Sequence, residues 1–166
     1  MKKVLVAYST KDGSTAEVAE AIGKALGERG LEAEVRPVGQ VAGLEGYGAV
    51  VLGSPINGMR WQQPAESFVG AHAAALRGMP VALFYLSYIE FAEGRPMWRR
   101  SIRKGMEALS AAAGAFSCRG FGGKLASPLP PAARFLFGTR KDAPADLRDW
   151  DAVRSWAGEI APRLGA

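Results

Sequence analysis

Seven consecutive residues, Ser9-Thr10-Lys11-Asp12-Gly13-Ser14-Thr15, bring four hydroxyls, an amine, a carboxylate and a glycine together just ahead of a helical run. A helix start offers N–H groups with no intrahelical partner and about half a positive charge, so hydroxyls from Thr10, Ser14 and Thr15 beside it predict an anion cradle. The spacing G-x-x-x-x-G-K-[ST] of a triphosphate loop is absent, and Gly13 alone does not make G-x-G-x-x-G. One monophosphate suits the segment better than a triphosphate. A carboxylate aimed at phosphate would be repelled, so Asp12 is expected to turn toward neighbouring N–H groups or Lys11.

Other chemistries lack their residues. The chain has one cysteine, Cys118, and one histidine, His72. That excludes a disulfide framework and leaves neither a metal site nor a Ser-His hydrolase the residues it needs. Cys118 reads as a small buried hydrophobe in a strand, and His72 shares a helical stripe with Phe68 and Leu76 as a packing residue. No catalytic side chain is assigned. Lys and Arg number 21 against 16 Asp and Glu, a formal charge of +5 that favours anionic partners. Arg95, Arg99, Arg100, Arg103 and Lys104 share one helix face, either simply solvated or suited to porphyrin propionates or an anionic bilayer through Arg99, Arg100 and Arg103. No nucleic-acid reading motif accompanies them.

The elements that must position the cradle follow from periodicity. At 166 residues, 48% of them apolar, the chain suits one domain spanning 1–166. Val4 to Tyr8, Ala49 to Leu52 and Val81 to Leu86 are apolar runs of strands buried on both faces. Ala33 to Val38, with Pro37 near its end, reads as an edge strand, and Ala115 to Leu125 as a fifth. Between them, helical spacing covers Ala16 to Arg29, Pro64 to Arg77 and Met97 to Ala113, and a last helix runs from Trp150 to about Ile160. Ser14 and Glu17 form a capping-box pair, and Gly30 suits the C-terminal stop. Strict alternation of strand and helix predicts a doubly wound parallel α/β sheet. Ligands of such sheets bind beyond the carboxyl ends of the strands. The loops that matter are then 9–15, 54–61 and 87–94.

Thr10-Lys11-Asp12-Gly13-Ser14-Thr15 resembles the phosphate loop T-x-T-G-x-T of the flavodoxin family, with Asp12 in place of the usual hydroxyl. An aspartate there, together with Phe121-Gly122-Gly123-Lys124-Leu125 and Asp146-Leu147-Arg148-Asp149-Trp150, resembles the subgroup related to menaquinone-dependent protoporphyrinogen oxidase. The resemblance implies five parallel strands in the order 2-1-3-4-5 with helices on both faces, and FMN bound through Ser9 to Thr15. Pro55, Ile56, Asn57, Gly58 and Trp61 would lie along the flavin ring, the Asn57-Gly58 peptide flipping with its redox state. Arg60 near the pyrimidine end would favour the reduced anionic ring. Leu86, Ser87, Tyr88 and Phe91 form the third loop. Trp61 and Tyr88 either touch the ring or pack beside it.

The activity implied is FMN-dependent oxidation of protoporphyrinogen IX with a quinone as acceptor. Two alternatives stay open: an electron carrier between protein partners, and a flavin-less binding module of the same fold. The apolar start is too short for a signal segment, and no stretch is long enough to span a membrane, so a cytoplasmic location is expected, peripheral to the inner membrane face if the arginine face docks.

Overall fold

The apolar runs pair side by side in the computed structural model, which describes residues 2–166. Strands β1 (Lys3–Tyr8), β2 (Ala33–Pro37), β3 (Tyr47–Asn57), β5 (Val81–Ser87) and β6 (Ser117–Gly122) form a parallel sheet ordered β2-β1-β3-β5-β6. A short β4 (Arg60–Trp61) folds back antiparallel on β3. Counting only the parallel strands, the order is 2-1-3-4-5, as the family resemblance implies.

Side chains alternate across each strand, so one sheet builds two cores. Val4, Val6, Val51 and Phe84 face α1 (Ser14–Gly27) and α7 (Trp150–Leu164). Leu5, Val50, Leu52 and Leu83 face α2 (Gln63–Ala71), α3 (Ala73–Arg77) and α5 (Pro96–Ala113). With helices on both faces, the inner strands have no solvent-facing positions, which is why their sequences are apolar without alternation. Trp156 anchors the first core. Its ring meets Phe84 and Phe121 edge-on at 6.2 and 5.7 Å, and its Nε1 donates to Ser117 Oγ at 3.0 Å. Two short helices, α4 (Tyr88–Phe91) and α6 (Pro131–Phe137), lie in the loops.

Four expectations are corrected. The helix over 64–77 breaks at His72, beside the weakly helical Gly70, although His72 does pack on Phe68 with ring centroids 4.5 Å apart. β3 runs past Ser54-Pro55 because it forms a hairpin with β4. The capping box is absent: Gly13 occupies the N-cap of α1 at φ 94°, and Glu17 reaches another partner. Cys118 is exposed, because β6 is the sheet's edge strand. Desolvation of its sulfur, then the Glu90 charge, push the thiol up to about 11, so it stays protonated at neutral pH.

Gly53 lies beside Phe84 across β3 and β5, and a Cβ there would stand 2.0 Å from the ring. Phe84 is fully buried and cannot withdraw. Gly53→Ala should therefore destabilise the domain by about 1–3 kcal/mol through overpacking, read as a lower denaturant midpoint.

Candidate functional site

Strand register brings three serines to one end of the sheet. Ser9 follows β1, Ser54 lies in β3 and Ser87 ends β5, where Tyr8 pairs with Gly53 and Ser54 with Tyr85. The Ser9 amide donates to Gly53 O at 2.9 Å. Gln62 ties the first two loops together: its side-chain oxygen accepts from the Ser9 hydroxyl, and its amide donates to Ser54 Oγ at 3.0 Å. Nothing in the sequence marks Gln62, whose role comes from the β3–β4 hairpin that returns it to β1.

The first loop is built around its own hydrogen bonds. Thr10 Oγ1 accepts from the Gly13 amide at 3.0 Å, leaving its hydroxyl proton free. Asp12 accepts from the Ser14 amide at 3.2 Å and the Ser14 hydroxyl at 2.9 Å, the turned-away position expected for it, though without Lys11. Desolvation would raise the Asp12 carboxyl, but the two Ser14 bonds outweigh it and hold the group below the usual carboxylate range. Lys11 is exposed. Thr15 is fully buried and its hydroxyl has no hydrogen-bond partner. In the same turn the Thr15 and Ala16 amides precede Glu17, the first whose N–H bonds back, to Gly13 O at 3.2 Å. The cradle thus holds donors without acceptors, the complement of an anion.

Arg148, a residue that sequence reasoning quoted in a motif but gave no role, closes the back of this loop. Only 5% of its side chain is exposed. It chelates Asp146 through two bonds of 2.9 and 2.8 Å, pairs with Glu17, reaches Ser14 O at 3.4 Å and stacks 4.8 Å above Trp150. The Asp146 bond, ahead of the Glu17 bond, holds its guanidinium charged, and the same bond keeps Asp146 below the usual range. The 121–125 stretch receives this segment backbone to backbone: Leu147 N donates to Gly123 O at 3.0 Å and Leu125 N to Ala145 O at 2.8 Å. A Cβ on Gly122 would stand 1.9 Å from Leu147 O. A cleft of about 290 Å³ lies between Asp12, Gly13, Ser14, Glu17 and Lys124–Ala126.

The second and third loops depart from expectation. Positive φ falls on Gly58 (60°) and Met59 (65°), making a two-residue turn of the primed type, while Asn57 stays in β3 opposite Arg60. The turn is thus centred on Gly58-Met59, one residue later than Asn57-Gly58. Pro55 and Ile56 are half-buried, Ile56 pairing with Trp61. Trp61 is 2% exposed in the second core, so its ring packs beneath the loop, the second of the two places expected for it. Arg60 pairs with Glu66, which neutralises the charge expected to act on a flavin. Asn57 and Trp61 line a separate groove of about 640 Å³ with Arg60, Gln62 and Gln63.

Leu86 is buried in the first core and Ser87 caps α4 by accepting from Glu90 N at 3.2 Å. Tyr88 is half-buried and donates its hydroxyl to Pro144 O at 2.9 Å, which fixes its ring. Glu90, buried at the start of α4, accepts from the Tyr85 hydroxyl at 2.9 Å and Arg103 Nε at 2.8 Å. The arginine face is therefore not uniform: Arg103 is paired, the Arg99 Nε is buried without a partner, and Arg100 is exposed. Among the described residues no group of three or more His, Cys, Asp or Glu gathers to hold a metal.

Asp146 and Asp12 titrate below their ordinary values, so their contribution to stability is present above about pH 4 and is lost as pH falls through the lowered values. Unfolding midpoints between pH 6 and 2 should show this loss, and Asp146→Asn should flatten the slope. At neutral pH, Arg148→Gln should cost about 2 kcal/mol through its lost charged hydrogen bonds.

Comparison with known proteins agrees with this geometry. A family model described as flavodoxin domain matches residues 5–131. The protoporphyrinogen IX dehydrogenase [quinone] of Escherichia coli strain K12 is 33% identical over 89 residues, 52% of this chain and 49% of that protein. The match thus spans about half the length of the curated relative. Among solved structures, a flavodoxin from the domain Archaea superposes with a TM-score of 0.64 at 17% identity over 99% of both chains. The rubredoxin oxygen:oxidoreductase of Desulfovibrio gigas gives 0.66 at 14% identity, covering 99% of this chain and 36% of the other. Since the domain match takes in both the anion loop and most of the sheet, and the fold is shared along nearly the whole length, the chain belongs to the flavodoxin domain family.

Proposed function

We propose that the chain is an FMN-dependent oxidoreductase that passes electrons to a quinone, with protoporphyrinogen IX as its donor. The observation that carries the FMN reading is the fully buried Thr15 hydroxyl without a partner, beside the first-turn amides of α1. A buried hydroxyl of this kind costs roughly 1–3 kcal/mol unless an acceptor completes it, and a phosphate oxygen is the acceptor that also suits the helix end. Thr10, Gly13 and Thr15 would hold that phosphate, and Asp12 stays clear of it by bonding Ser14. The segments 55–59 and Ser87-Tyr88 would border the ring, since Trp61 and Leu86 are committed to the cores. When bound, FMN supplies the electron transfer that no side chain here provides.

The choice of donor and acceptor is supported by the likeness to the Escherichia coli enzyme, whose name carries both. It is tested by anaerobic half-reactions: protoporphyrinogen should bleach the flavin spectrum, and a menaquinone analogue should restore it. A flavin that responds to neither, but exchanges electrons with a redox protein, would replace the enzyme reading with that of a carrier.

Thr15→Val tests the site itself. FMN affinity should fall by about 1–3 kcal/mol, roughly 5- to 150-fold. Riboflavin, which lacks the phosphate, should bind both proteins alike. The ligand-free variant should be no less stable than the parent, because valine fills the same space without a hydroxyl to satisfy. Equal FMN affinity in titrations of both proteins would remove the phosphate from this loop.

A further inference from the structure

Two segments, 88–104 and 131–142, contain eight basic and three acidic side chains. That difference equals the formal charge of +5 of the whole chain, so the remaining residues are neutral in sum. The same segments contain the exposed large hydrophobics of the described residues: Phe91 at 43%, Met97 at 60%, Phe135 at 78% and Leu136 at 53% exposure.

The fold joins the two segments at the start of α5 and the end of α6. Arg95 N donates to Phe137 O at 2.7 Å, its guanidinium to Phe135 O at 3.0 Å, and Trp98 Nε1 to Leu136 O at 3.1 Å. Trp98 also meets Phe137 edge-on at 5.8 Å. The carbonyls at the end of α6 are thereby satisfied from inside, and Phe135 and Leu136 are held outward as protrusions. Arg95 lies 5.6 Å above the Phe135 ring, and Arg100, Lys104, Arg140 and Lys141 stand exposed in the same two segments.

We propose that this surface docks on an anionic lipid bilayer, with Phe135, Leu136 and Met97 entering the interface and the basic side chains meeting lipid phosphates. Charge complementarity selects an anionic partner. Protruding apolar tips within a basic field select a soft interface that closes around them, since a rigid partner would need a matching pocket for each. The docking surface sequence reasoning placed on Arg99, Arg100 and Arg103 is thus re-centred: the Arg99 Nε is buried, Arg103 stays exposed but is paired with Glu90, and α6 supplies the apolar part. The inference does not depend on bound FMN. If the quinone reading holds as well, α4 leaves the carboxyl end of β5 directly into this surface, so docking brings the third loop to the phase in which a quinone dissolves.

Co-sedimentation tests it. The parent protein, with or without FMN, should pellet with phosphatidylglycerol-containing vesicles, stay in solution with pure phosphatidylcholine, and be released by high salt. Phe135→Ser with Leu136→Ser should weaken binding at least tenfold, as should Arg100→Gln with Lys104→Gln and Lys141→Gln, while the far-ultraviolet circular dichroism stays that of the parent. The inference is overturned if the parent ignores anionic vesicles, including the case in which it binds an acidic protein instead, or if both variants bind as the parent does.

Discussion

The first turn of α1 carries backbone N–H groups that have no carbonyl within reach, and the buried Thr15 hydroxyl adds a further donor to the same spot. Such a turn is unfavourable on its own, so the structure around it has to hold it in place. Three features do so. β1 is locked between β2 and β3, Gly13 takes the left-handed conformation that lets the chain enter the helix directly, and Arg148 grips Ser14 O and Glu17 from behind. The carboxylates near the cradle are each bonded to a partner of their own, Asp12 to Ser14 and Glu17 to Arg148.

The cradle explains why two distant stretches of sequence belong together. Phe121 to Leu125 has glycines where the backbone of Ala145 to Leu147 must pass, and the arginine that follows is delivered to α1. Gly122 could not be alanine without moving Leu147, and moving Leu147 moves Arg148. A contact between the two stretches is therefore a condition for the geometry of a loop more than a hundred residues earlier in the chain. Burial of the Arg148 stem against Trp150 keeps the guanidinium from drifting into solvent, which makes its chelation of Asp146 firmer than an exposed pair would be.

Sequence patterns reveal the fold better than the ring-bordering loops, for a physical reason. A strand buried on both faces must be apolar along its whole length, so Val4 to Tyr8 and Val81 to Leu86 could be read directly, and with them the sheet. The anion loop was readable because its hydroxyls and glycine are local. Trp61 was not, because an aromatic residue beside a site has the same composition whether it faces ligand or core, and only the return of β4 onto β3 turns it inward. Ser14 and Glu17 have the spacing of a capping box, yet Asp12 takes the amide bond and Arg148 takes the carboxylate. Both competitors lie outside the four-residue window that the pattern considers. Cys118 shows the same limit: a small apolar side chain in a strand suggests burial, and its place at the sheet edge exposes it.

The molecule separates what must be rigid from what can meet a changing environment. The cradle follows the carboxyl end of β1, where Gln62 ties Ser9 to Ser54 and Arg148 holds Ser14 O and Glu17. The 127–144 segment lies between β6 and α7, and α6 rests on Arg95 and Trp98 mainly through its own carbonyl groups. Substitution of the outward side chains of α6 leaves those carbonyl bonds intact, so its apolar tips can be altered without disturbing the sheet. Tyr88 links the two regions: its backbone follows β5 at the third loop, and its hydroxyl holds Pro144 at the end of the 127–144 segment.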